Sequence, residues 1–116
     1  MRHLKRGNKL KRTPDERKAL LRQLANALIL HNQIVTTAAR ARAVRPLVDR
    51  LVTRGKESES LANRRYVLRF LTKEATGKVF KILGPKYKTR PGGYTRIIRL
   101  SPRAGDSAKI VKMELV

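Results

Sequence analysis

At residues 13 to 16 the chain reads Thr-Pro-Asp-Glu, and those four residues decide where the first helix opens. The threonine hydroxyl can accept a backbone N–H three positions on, and proline at the first helical position has no N–H to leave unpaired. Asp15 falls in the first turn, where the helix dipole favours negative charge, and Glu16 closes a T-x-x-E capping box. A helix therefore opens at Pro14. Residues 1 to 12 carry six basic side chains, Arg2, Lys5, Arg6, Lys9, Lys11 and Arg12, with no acid and only Leu4 and Leu10 as apolar anchors beyond Met1. Such a segment buries too little to fold alone and reads as an arm that orders on a charged surface. The predicted organisation is a basic arm at 1–12 followed by a single domain at 13–116.

Within the domain, Leu20, Leu21, Leu24, Ala25 and Leu28 recur at helical spacing, and the helix should stop near His31 and Asn32. "QIVTT" at 33–37 is short and β-branched, hence a strand. Thr37 can then cap a second helix through "AARARAVRPLVDRLVTR", with Val44, Val48 and Leu51 on one face and Leu47 and Val52 beside it. Pro46 removes one backbone hydrogen bond there and predicts a kink or a restart. "RGKESES" at 54–60 reads as an acidic loop whose last residue, Ser60, caps a third helix over "LANRRYVLRFL". A fourth helix, from Lys73 to Leu83, turns Val79, Phe80 and Leu83 inward and ends where Gly84 can go left-handed and Pro85 cannot continue. "YTRIIRL" (94–100) and "AKIVKMELV" (108–116) make a terminal antiparallel hairpin. A hairpin alone is marginal, so it needs the helices, and the strand near residue 35 completes its sheet. The expected fold is α/β (α+β) in two layers, about four helices packed on a small three-stranded sheet.

What such a domain does is bounded by its charge. Lys and Arg number 29 against 8 Asp and Glu, a formal +21. A compact chain carries that self-repulsion unless a polyanion neutralises it, and nucleic acid is the leading candidate. The absence of cysteine removes disulfides, thiolate zinc sites and cysteine nucleophiles. The longest apolar stretch, "ALIL" at 27–30, is far short of a membrane span. His3 and His31 stand in no metal-ligand spacing, and "PGGYTR" matches neither the phosphate loop nor the dinucleotide fingerprint. The expectation is a binding protein and not an enzyme, with no cofactor, no metal and no small-molecule substrate.

The basic residues are not scattered. Residues 1–12 and 75–105 hold no acid, and the second span carries Lys78, Lys81, Lys86, Lys88, Arg90, Arg96, Arg99 and Arg103. In the loop 85–93, Lys86, Lys88 and Arg90 recur at every second position, so an extended course would align them along a nucleic-acid backbone, and Gly92 and Gly93 allow close approach or positive φ. Arg40 and Arg42, at the start of the second helix, join the candidate contacts. Aromatic content of 4% gives only weak support to a stacking platform for single strands, with Tyr87 and Tyr94 open either to stack on a base or to pack. Recognition of a folded RNA through its phosphates and shape fits best, with an architectural DNA-binding protein as the alternative. Apolar wedges in the arm would favour DNA, and the arm offers only leucines.

"MRHLKRGNKLKR", "RKALLRQLANALILHNQIVTT", "GPKYKTRPGGYTRI" and "RAGDSAKIVKMELV" together resemble the bacterial large-subunit ribosomal protein family numbered seventeen, over nearly the whole chain and in the same order. The resemblance implies a structural ribosomal protein bound to large-subunit ribosomal RNA, beside other ribosomal proteins near the polypeptide exit region, in the cytoplasm. It implies a small mixed sheet. It also implies that Arg2, His3, Lys5 and Arg6 belong to an RNA-contacting arm, and that Arg90, Gly92, Gly93, Tyr94, Thr95 and Arg96 form a signature loop and strand.

Overall fold

The computed structural model describes residue 10, residues 12–57 and residues 60–116. The chain runs α1 (Pro14–His31), β1 (Gln33–Thr37), α2 (Ala38–Glu57), α3 (Leu61–Leu68), α4 (Lys73–Lys78), a π-helical turn Val79–Leu83, α5 (Gly84–Lys86), β2 (Thr95–Arg99) and β3 (Ile110–Leu115). Caps set the starts as the sequence requires. Thr13 Oγ1 accepts from Glu16 N at 3.3 Å, Thr37 Oγ1 from Arg40 N at 3.4 Å, and Ser60 Oγ from Asn63 N at 3.1 Å. Each such cap is worth about 1 kcal/mol. Asn32, at φ 67°, ends α1 in the left-handed conformation that short amide side chains tolerate.

The sheet has the order β1-β3-β2. Both pairings are antiparallel, so the sheet is not mixed as the family resemblance implied. The reason lies in the connection: after β1 the chain passes through α2 to α5 and the whole of β2 before β3 enters between β1 and β2, running against each. Ile34, Met113 and Ile97 share one row, and with Val111 and Leu115 they face the helices. Ala25, Leu28 and Ile29 of α1, the Val44-Val48-Leu51 face of α2, Val67, and Val79, Phe80 and Leu83 fill the space between the layers. Each fully buried Val, Leu or Ile contributes roughly 1.5–3 kcal/mol relative to exposure.

Three local expectations change. Pro46 does not split α2, which continues through it to Glu57, so Arg54–Glu57 of the expected acidic loop is helical. The third helix stops at Leu68 and turns through 69–71. Gly84 does not turn left-handed but stays right-handed at φ −55°, because it is needed for close approach instead. A Cβ on Gly84 would stand 2.5 Å from Gly55 O, and one on Gly55 would stand 2.4 Å from Val79 Cγ1. The two glycines let the end of α2 touch the π turn. The widened turn also brings Pro85 into the first positions of α5, where its missing N–H costs nothing.

Candidate nucleic-acid interface

Most cations of the second acid-free span past α5 fall into two groups at opposite ends of β2. At one end is the connection from α5 to β2. It is not extended: Lys88 N bonds Pro85 O at 3.4 Å and Arg90 N bonds Tyr87 O at 2.9 Å, so Lys86, Lys88 and Arg90 fan out around turns instead of aligning on a strand. All three are exposed. Gly93, at φ 63°, occupies the conformation expected of it, whereas Gly92 has an ordinary φ.

Tyr94 departs from its expected role as a contact residue. It is 1% exposed, and its ring packs on that of Tyr87, itself 2% exposed, with centroids 5.1 Å apart. Neither ring can stack on a base. Their work is to hold the loop: Tyr87 Oη donates to Val116 O at 2.6 Å, and Tyr94 Oη donates to Arg90 O at 3.4 Å. Sequence reasoning missed the third member, Lys56, from the last turn of α2. Its Nζ donates to Arg90 O and to Tyr94 Oη, the latter at 2.8 Å. Burial alone would raise the Tyr94 hydroxyl pKa, but hydrogen bonds from Lys56 and Thr53 together with the Lys56 charge outweigh it and lower the value. The only signal for Lys56 was its place after Gly55, which read as loop.

At the other end of β2, the hairpin turn meets the start of α2. Arg40 and Arg103 line one groove with Ser101, while Arg42, Arg99 and Lys109 line its neighbour. Arg103 grips Asp106 through two bonds, Nε to Oδ1 at 3.1 Å and Nη2 to Oδ2 at 2.7 Å, and Ala108 N also donates to Asp106 Oδ1. The guanidinium, with Ala108 N–H, holds the Asp106 carboxyl down at about 2. Between the two ends, Arg96 projects from the outer sheet face, where Nε and Nη2 reach Glu114 Oε1 at 2.9 and 2.6 Å. β2 is an edge strand, and five residues span about 13 Å. Loop, edge strand and hairpin thus form one cationic margin. Lys109 and Arg99 belong to it although sequence reasoning did not count them among the contacts; Lys109 read only as part of a strand.

Of the expected arm residues, Arg12 is exposed, and Arg2, His3, Lys5, Arg6, Lys9 and Lys11 lie outside the described residues. A further lysine, Lys78, is half-buried and committed to the end of α1. Its Nζ donates to Asn32 Oδ1 at 2.7 Å and Leu30 O at 3.3 Å, closing the C-terminus of α1. Partial desolvation and then the charge of Lys86 lower its pKa. Among the described residues no helix is long and apolar enough to cross a membrane.

Fold and surface define a class: a small α+β domain with a cationic margin along one sheet edge. The family model described as "Ribosomal protein L17" matches residues 20–116. Three curated proteins, each named "Large ribosomal subunit protein bL17", resemble the whole chain. The one from Syntrophotalea carbinolica is 43% identical over 116 residues, 75% of its own length. Those from Amoebophilus asiaticus and Salinibacter ruber are 47% identical over 116 and 117 residues, 60% and 59% of their lengths, so the chain spans about three fifths of each. The chain belongs to the ribosomal protein L17 family: it is a ribosomal protein, not an enzyme.

Proposed function

We propose that the protein is a structural constituent of the bacterial large ribosomal subunit that binds and stabilises folded large-subunit ribosomal RNA through phosphate contacts. The observation that carries this is the cationic margin, where Lys86, Lys88, Arg90, Arg42, Arg99 and Lys109 have no carboxylate within ion-pair distance among the described residues. Charges left uncompensated in a free protein are those a phosphate backbone can neutralise with release of counterions. In this reading Lys86, Lys88 and Arg90 hold one stretch of backbone at the loop, and Arg40, Arg42 and Arg103 hold a second at the hairpin. Gly92 and Gly93 leave room for phosphates to approach, and Arg96 links the two ends. Residues 1–12 act as a basic arm beside the domain at 13–116, with Arg2, His3, Lys5, Arg6, Lys9, Lys11 and Arg12 on RNA. The neighbours are other large-subunit proteins near the polypeptide exit region of cytoplasmic ribosomes.

The test is a sucrose-gradient separation of a lysate at moderate and then high salt, with the protein followed by mass spectrometry. Co-migration with the large subunit at both salts is expected. Recovery away from ribosomal fractions would overturn the reading.

A further inference from the structure

A second surface shares no lining residue with the two grooves of the cationic margin. Between α1 and α2 runs a groove of about 420 Å³ lined by Lys18, Leu21, Arg22, Ala43, Pro46, Leu47, Arg50 and Phe70. Its floor is apolar: Leu47 is nearly buried, Leu21, Ala43 and Phe70 are half-buried, and Pro46 is exposed. Its rim is cationic, since Lys18, Arg22 and Arg50 are all exposed. The Arg22 guanidinium lies over the Phe70 ring, 5.9 Å from its centroid. Among the described residues no carboxylate pairs with any of the three. Phe70, Arg22 and the Asn26–Thr72 contact also line a shallower continuation of the same furrow, so it extends past one side chain in length.

From this geometry we infer that the groove receives a protein segment of acidic, amphipathic character, with two or three apolar side chains on the floor and carboxylates against Lys18, Arg22 and Arg50. The floor decides against RNA, because Leu21, Ala43, Pro46 and Leu47 gain nothing from a sugar-phosphate backbone, while leucine-like anchors spaced by helical turns gain burial. The rim decides the sign of the partner. The chain's own residues 1–12, with six basic side chains and no acid, have the wrong charge to fill it. This inference stands apart from the phosphate reading of the other surface, and either can fail alone.

The probe is a synthetic helical peptide with leucines at i, i+4 and i+7 flanked by glutamates, titrated into the isotope-labelled full chain and followed by NMR. Saturable shifts centred on Leu21, Ala43, Leu47 and Phe70 are expected. Replacing the leucines by serine should abolish binding, as should replacing the glutamates by lysine. Ala43→Glu, a helix-compatible change on the groove wall, should weaken the peptide at least about tenfold through like-charge repulsion, a larger loss than it causes in ribosomal RNA affinity. Equal binding by the serine peptide would reduce the site to bulk charge and overturn the proposal. So would a footprint centred on Arg40 and Arg103, or protection of the groove by ribosomal RNA in place of peptide.

Discussion

At the scale of single residues, the side chains that present the basic loop are distinct from those that would touch RNA. Lys56 is committed to the Arg90 carbonyl and the Tyr94 hydroxyl, so its charge supports the loop from below. Lys88 makes no such commitment and stands exposed. The two lysines therefore separate by salt dependence. Lys56→Met is expected to weaken RNA binding about fivefold, the equivalent of roughly 1 kcal/mol of lost loop organisation, without changing the slope of log affinity against log salt. Lys88→Ala is expected to reduce that slope by about 1. Filter binding to large-subunit ribosomal RNA across a salt series distinguishes them, and a reduced slope for the Lys56 variant would make it a direct phosphate contact.

At the scale of elements, the two glycines of the α2 and α5 crossing and the glycine of α4 look alike in sequence and differ in consequence. Gly84 has a backbone oxygen 2.5 Å from where a Cβ would sit, whereas nothing lies within 4 Å of a Cβ on Gly77. Gly84→Ala must push two helical segments apart and is expected to cost about 1–3 kcal/mol. Gly77→Ala keeps a helical residue in open space and is expected to stabilise by about 0.5–1 kcal/mol. Urea unfolding of the two variants should show midpoints shifted in opposite directions. This contrast marks the limit of what sequence makes legible. Caps, the 33–37 strand and the inward faces of α2 and β3 follow from residue type and spacing, which are local properties. The continuation of α2 past Gly55, the π turn and the burial of Tyr94 depend on which segments meet. Pro-Gly-Gly and Lys-Tyr-Lys signal a loop whether its aromatic rings face the solvent or the core. The candidate contacts were legible as a charged span, but their separation to the two ends of β2 was not.

At the scale of the whole molecule, the cationic margin and the arm should act as one electrostatic unit. With about eight phosphates neutralised, log affinity should fall against log salt with a slope of roughly −7. Removing residues 1–12 should flatten that slope and weaken binding while leaving cooperative unfolding in place, since the described core draws on no residue before Leu21. Loss of cooperative unfolding would make the arm part of the fold. The open sheet carries one more implication. Its order leaves β1 and β2 as margins without a neighbouring strand, the geometry by which proteins stick to copies of themselves. Two molecules meeting along β2 bring Arg96 and Arg99 against the same arginines. The like charge of that strand therefore opposes edge-to-edge pairing of copies along β2, a protection that the uncharged β1 margin lacks.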